Sequence, residues 1–187
     1  MNKYPVKLGS VLDVKQWPNA EYSDERGKLS KVFADSDKKF GDISFNTIEH
    51  FFTTSRKNTF RGMHLQWGLH PVSKIVTLIQ GSVIDYLLDL RANSKTYGYL
   101  QVTEMKNENT LSIFIPPGVA HGYLVLKDET IFSYRQDGVF CSECDTGVNV
   151  SMLRDFIDAD LSKMILSPRD LALPDALQVD LVIRNHN

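Results

Sequence analysis

The 187-residue sequence has only two cysteines, and both fall in one tetrapeptide, Cys141-Ser142-Glu143-Cys144. A structural zinc site wants further Cys or His ligands, and no second pair supplies them. A redox Cys-x-x-Cys opens a helix after a strand, whereas Cys144-Asp145-Thr146-Gly147 reads as a turn. Two reduced thiols in a loop are therefore expected. Positive charge is not in excess either: 21 Lys and Arg stand against 23 Asp and Glu, a net −2. That balance offers nothing global for nucleic acid or a membrane surface, so any polyanion site must be a local cluster. No run approaches transmembrane length, and Met1-Asn2-Lys3-Tyr4-Pro5 lacks an apolar leader, so a cytoplasmic location is the default expectation. Repeats, low-complexity tracts and linkers are missing too, and one domain over residues 1–187 is expected.

What the chain does contain is a globular balance, 42% hydrophobic and 24% charged, with enough length to bury a core. Its middle is a succession of short β-rich runs: Ile43–Thr54, Lys74–Gln80, Ser82–Leu90, Tyr97–Met105, Thr110–Ile115, Gly122–Leu126 and Glu129–Gln136. Such spacing predicts a sandwich or barrel. The second and third runs meet at Gly81 and predict a hairpin. Pro116-Pro117-Gly118 predicts a tight turn. Beyond Gly147 the pattern changes. Leu153, Phe156, Ile157 and Leu161 are near helical spacing and predict a helix over Ser151–Met164. Leu166-Ser167-Pro168-Arg169-Asp170 is expected as a returning loop. The fold class is mainly β with a short helical C-terminal segment.

Four residue types suited to proton transfer beside a ketone lie on this frame. His64 follows Arg61-Gly62-Met63 at the expected start of a strand, and an imidazole titrates near neutrality, which suits a general base. Taken by spacing alone, a satisfied structural histidine is the simpler reading. Asp170 could orient His64 if the C-terminal loop folds back. Lys74 opens an apolar strand, where it either snorkels to solvent or supplies a buried cation. A two-residue turn at Gln80-Gly81 would put Asp85 opposite Val76, on the face of Lys74, as its counter-ion. Tyr134 by default is a core or half-exposed aromatic. His121 follows the Pro-Pro-Gly turn, a common place for a functional side chain. The Pro-x-Gly-x-x-His run suggests a small jelly roll of the cupin type, which often binds metal. Here, however, His64-Leu65-Gln66 and then His70 replace the close His-x-His pair, a poor first-row metal set.

The ordered motifs carry a resemblance. They are Asp24-Glu25-Arg26-Gly27, Phe60-Arg61-Gly62-Met63-His64, Pro71-Val72-Ser73-Lys74, Asp89-Leu90-Arg91 and Tyr97-Gly98. After them come Ile115-Pro116-Pro117-Gly118-Val119-Ala120-His121-Gly122-Tyr123, Tyr134, Glu143-Cys144-Asp145-Thr146-Gly147 and Leu166-Ser167-Pro168-Arg169-Asp170. From about Asp24 to Leu173 the chain resembles the deoxysugar-nucleotide epimerases related to dTDP-4-dehydrorhamnose 3,5-epimerase. The resemblance implies a cupin-type jelly roll, a homodimer, and catalysis without metal or organic cofactor. It implies a nucleotide-linked 4-keto-6-deoxy sugar as substrate, inverted at C3, at C5 or at both, in surface-polysaccharide synthesis. A sugar-nucleotide-binding cupin without turnover is the alternative. By position, the resemblance makes His64 the base, Asp170 its orienting partner, Tyr134 the proton donor and Lys74 the enolate stabiliser. Arg61, His121, Phe140, Asp145, Arg169 and Glu49 fall at substrate-binding positions, and Arg26 at a nucleotide or phosphate contact. The departures cluster in the nucleotide shell. The family's Gln-x-Asn reads Glu49-His50-Phe51, Lys31 replaces a Glu, and Val148-Asn149-Val150-Ser151 lacks the usual tryptophan. Asn58 stands in a usual glycine position, which an asparagine tolerates because it adopts positive φ.

Overall fold

Short apolar strands, the central ones buried on both faces, build two sheets that close on one another. The computed structural model describes residues 6–32, 45–108 and 110–175. Along the chain the strands are β1 (Lys7–Leu8), β2 (Lys15–Pro18), β3 (Ala20–Asp24), β4 (Gly27–Lys31), β5 (Glu49–Ser55), β6 (Phe60–Gln66) and β7 (Lys74–Gln80). They continue with β8 (Ser82–Asp89), β9 (Tyr99–Lys106), β10 (Leu111–Ile115), β11 (Val119–Val125), β12 (Thr130–Gln136) and β13 (Asp145–Gly147). One sheet has the order β1-β9-β8-β11-β6-β13 and the other β2-β10-β7-β12-β5, with β3 and β4 forming a separate hairpin. Residues 43 and 44 of the first predicted run lie outside the described residues.

The space between the sheets is filled from both sides. Val76 and Leu78 of β7, Ile113 of β10 and Phe132 of β12 meet Val83 and Leu87 of β8, Met105 of β9 and Tyr123 of β11. Phe132 is fully buried and stacks on Tyr123 with ring centroids 4.6 Å apart. We expect Phe132→Ala to destabilise the protein by about 3–5 kcal/mol, the usual cost of a phenyl-sized cavity. Chemical denaturation reads this, and a loss below about 1 kcal/mol would mean that the core collapses around the gap.

The hairpin predicted at Gly81 does not form. β7 and β8 belong to different sheets, and Gly81 (φ +98°) turns the chain from one to the other. It packs against Thr130, so a Cβ there has no room. Asp85 consequently pairs in register with Tyr123 and Thr103, whereas Val76 faces Ile113 and Tyr134. Asn58 does take positive φ, at 65°.

The C-terminal segment also departs from expectation. The stretch predicted as one helix is two 3-10 turns, Val150–Phe156 and Leu161–Lys163. The side chains of Asn149 and Asp160 each accept from a backbone N–H two residues on, starting separate turns, and Ile157 between them is extended. Val150, Met152, Leu153 and Ile157 lie as an apolar strap on the outer face of the six-stranded sheet, against Phe60, Met63, Leu65 and Leu88. The predicted loop before Asp170 is instead a one-turn helix, α1 (Pro168–Leu171), with Pro168 in its first turn and the Ser167 hydroxyl accepting from the Asp170 N–H. The two cysteines are not free thiols: Cys141 and Cys144 are joined as a disulfide. Part of the turn read after them is strand β13, paired with β6.

Candidate active site

A cleft of about 250 Å³ opens between the sheets at one end of the fold. The five-stranded sheet contributes the inward positions of three neighbouring strands: Lys74 of β7, Tyr134 and Gln136 of β12, and Phe51 and Thr53 of β5. The six-stranded sheet contributes Arg61 and His64 of β6 and Asp145 of β13. Phe140, on the loop between β12 and β13, and Ser167, Arg169 and Asp170 from the start of α1 close it.

Arg61 and His64 are three residues apart, so simple alternation would send them to opposite faces. A bulge brings them to the same face. His121 pairs with His64 and Tyr123 with Arg61, so β11 spends two steps where β6 spends three. Gly62 (φ +130°) makes this possible, since a Cβ would come within 2.5 Å of the Gly122 Cα and 2.7 Å of the His121 carbonyl oxygen. The Arg61 Nε donates to the Ser55 hydroxyl at 3.0 Å.

His64 and Asp170 meet across 106 residues of sequence, with His64 Nε2 to Asp170 Oδ1 at 2.5 Å. The imidazole is about a quarter exposed to the cleft, while the carboxylate is buried beneath it. Burial alone would raise the Asp170 pKa. The His64 hydrogen bond and charge, the Ser167 hydroxyl and Arg169 outweigh burial and hold it below the usual carboxylate range. The carboxylate therefore stays ionised and fixes the ring through Nε2.

Lys74 has its ammonium pKa pushed down to about 8, chiefly by burial, with Asp145 opposing the shift and Arg169 adding to it. Asp85 does not serve as its counter-ion, because β8 runs in the other sheet. Asp145 is the nearby carboxylate instead, and it also pairs with Arg169. Tyr134 faces Phe51 across the β5–β12 ladder, and the two rings stack with centroids 5.0 Å apart and planes 7° from parallel. Burial pushes the Tyr134 phenol well above its ordinary pKa. The phenol of Tyr123 and the charge of Asp85 push the same way, and Arg61 pulls against them.

Three expected site residues stand outside this constellation. His121 is buried, with Nε2 at 2.6 Å from Asp85 Oδ2, and it packs edge-on behind Tyr134 at 5.8 Å rather than lining the cleft. Arg26 lies on the exposed β3–β4 hairpin, paired with Asp24. Glu49 touches the cleft through its partners, accepting from the Phe140 N–H at 3.0 Å and the Gln136 side-chain amide at 3.3 Å. Phe51, Thr53, Gln136 and Ser167 are cleft residues that sequence reasoning missed. The period of two from Glu49 would have grouped 49, 51 and 53, had the inward face been known.

A protein-family model described as dTDP-4-dehydrorhamnose 3,5-epimerase matches residues 10–178. The chain belongs to that family. The dTDP-4-dehydrorhamnose 3,5-epimerase of Escherichia coli K12 is 36% identical over 129 residues, 68% of this chain and 69% of the relative. Its counterpart from Methanothermobacter thermautotrophicus is 34% identical over 127 residues, 68% of each. Among solved structures, a dTDP-6-deoxy-D-glucose-3,5-epimerase from Legionella pneumophila, in complex with dTDP-4-keto-L-rhamnose, superposes with a TM-score of 0.84. It is 26% identical and covers 96% of both chains. The two-sheet architecture is thus the cupin-type jelly roll that the motifs imply. His64, Asp170, Tyr134 and Lys74, the four residues to which the motifs point, line one cleft.

Proposed function

We propose that the protein epimerises a nucleotide-linked 4-keto-6-deoxy sugar at the carbons flanking the ketone, C3, C5 or both. One observation carries this reading: the His64–Asp170 pair stands on the six-stranded sheet and α1, and Tyr134 on the sheet facing it. A sugar ring held between them meets a base on one face and an acid on the other, which is what inversion of a carbon requires. His64 Nδ1 takes the proton that the neighbouring carbonyl has acidified. The electrons move onto the ketone oxygen, and the Lys74 ammonium balances the enolate charge. Tyr134 then delivers a proton from the opposite face, leaving a phenolate to be reprotonated. His64 returns its proton to solvent.

Arg61, Arg169 and Lys74 offer three cations to a diphosphate, against the two carboxylates of Asp145 and Asp170 in the same cleft. Glu49, whose carboxylate is engaged by the Phe140 N–H and Gln136, orders the cleft rim. Arg26 does not line the cleft of its own chain. Its role as a nucleotide contact therefore fits the homodimer that we also propose, with a second copy supplying the hairpin. The setting we infer is cytoplasmic supply of deoxysugars for surface polysaccharides such as O-antigen.

The test is proton exchange in heavy water, followed by NMR with dTDP-, GDP-, CDP- and UDP-linked 4-keto-6-deoxy sugars. We expect deuterium beside the ketone, fastest with the dTDP sugar, the nucleotide bound by the Legionella relative. The labelled carbons separate action at one centre from action at two. Binding without exchange for all four substrates would replace an epimerase by a sugar-nucleotide-binding cupin.

A further inference from the structure

The loop that brings Phe140 to the cleft is held by one buried side chain. Gln66 ends β6, two residues beyond His64, and is 5% exposed. Its amide nitrogen donates to the His70 carbonyl at 2.8 Å and to the Val139 carbonyl at 3.0 Å. Its amide oxygen accepts from the Cys141 N–H at 2.9 Å. Both amide protons and the oxygen are thus engaged, all on main-chain groups. The bonds to Val139 and Cys141 flank Phe140 on either side, and the bond to His70 reaches the loop that leads into Lys74. Phe140 takes one main-chain bond of its own, from its N–H to Glu49 on the facing sheet. Its ring lines the cleft, is 59% exposed and belongs to none of the buried clusters. Packing therefore does not fix the ring, and its place at the cleft follows from where residues 139–141 are held.

We propose that Gln66 is a positioning residue for substrate binding, acting through Phe140 without touching the substrate. Gln66 does not itself line the cleft. Deleting its amide frees the His70 and Val139 carbonyls and the Cys141 N–H, and each is then drawn to another partner or to water. The segment that shifts is the one carrying Phe140. The disulfide to Cys144 restrains the Cys141 end only, and Glu49 holds Phe140 by a single bond. A ring displaced by about 1 Å loses its fit to a bound molecule. His64 keeps its bond to Asp170, and Tyr134 keeps its place in the β5–β12 ladder, so proton transfer in the bound complex is spared. A residue that only stabilised the fold would lower the melting temperature and the folded fraction, and leave the affinity of the folded molecules unchanged.

This inference rests on the reading that the cleft takes a nucleotide-linked keto sugar, and the experiment separates the two. Gln66→Met, Phe140→Ala and the double variant are compared with the parent in KM, kcat and the Kd of dTDP, with melting curves for each. We expect Gln66→Met to raise KM and the dTDP Kd about tenfold and to leave kcat within about twofold, a loss of binding that ground and transition states share. Phe140→Ala should cost at least as much, and the double variant should bind no more weakly than Phe140→Ala alone, to within about twofold. Penalties that instead multiply in the double variant mean that Gln66 acts by another route, and the proposal is wrong. An unchanged KM in Gln66→Met, or a fall in kcat without a change in KM, overturns it as well. A parent that binds dTDP without turnover corrects the function to a binding cupin, and the cycle is then decided by Kd alone. A parent that neither turns over the keto sugar nor binds dTDP overturns the reading of the cleft, and this inference with it. Should Gln66→Met fail to fold, Gln66→Glu enters the same cycle, because it keeps an acceptor for the Cys141 N–H and loses both donations.

Discussion

Replacing His64 by alanine abolishes both deuterium exchange and inversion, with a loss of about 10²–10⁴-fold, the usual contribution of a positioned general base. Both readouts fall together because proton removal precedes every later step. The variant also strips the buried Asp170 carboxylate of its principal partner, so part of any loss could come from local disorder. His64→Gln is the companion variant, since its amide nitrogen reaches the position of Nε2 and can still donate to Asp170, but it cannot accept a proton at neutral pH. Equal losses in the two variants place the effect on the base itself. Exchange within tenfold of the parent in either variant removes His64 from that role.

Lys74→Met, which keeps the length of the side chain without its charge, lowers kcat by about 10²–10³-fold, as loss of an oxyanion-stabilising group does. On the proposed mechanism the ammonium form is the working one, and burial brings its pKa down to about 8. Below that value Lys74 is charged and can hold an enolate; as pH rises through it the charge is lost. kcat/KM of the parent, which reports the free protein, should therefore fall along an alkaline limb near pH 8. In the complex a bound diphosphate favours the ammonium, so the limb in kcat moves to higher pH. A flat kcat/KM profile from about pH 7 to 9.5 would show that the charge on Lys74 takes no part.

Most of the strands were legible as short runs rich in apolar, β-branched and aromatic residues between turn residues, as in Lys74–Gln80 and Thr130–Gln136. What such runs cannot convey is which sheet receives a strand. Gly81 reads as a hairpin turn in sequence, yet its contact with Thr130 steers β8 into the opposite sheet, and with it the partner of Asp85. The spacing of Arg61 and His64 was likewise opaque, because only the bulge against His121 and Tyr123 turns a three-residue step inward. Helical spacing over Leu153–Leu161 was real but came from an apolar strap with two side-chain caps, not from a continuous helix. The residues proposed as catalytic emerged from motif resemblance, whereas Phe51 and Thr53 needed the register of β5 to be recognised as cleft neighbours of Tyr134.

The distance in sequence between His64 and Asp170 also sets a schedule. During synthesis the chain emerges from its N-terminus, and by Gly147 every strand of both sheets has been made. The apolar strap follows and is anchored where the Phe60 N–H meets the Ile165 carbonyl. Only then does the carboxylate arrive that holds the imidazole in place. On the proposed mechanism a newly made molecule thus passes through a stage whose sheets are complete before the His64–Asp170 pair is made. A single peptide cleavage between Ile165 and Ser167 would leave Asp170 held by His64 and by the Asn149 bonds to the Asp170, Leu171 and Pro174 carbonyls. The proposed base thus takes its carboxylate from a segment that is separate from the strands of both sheets.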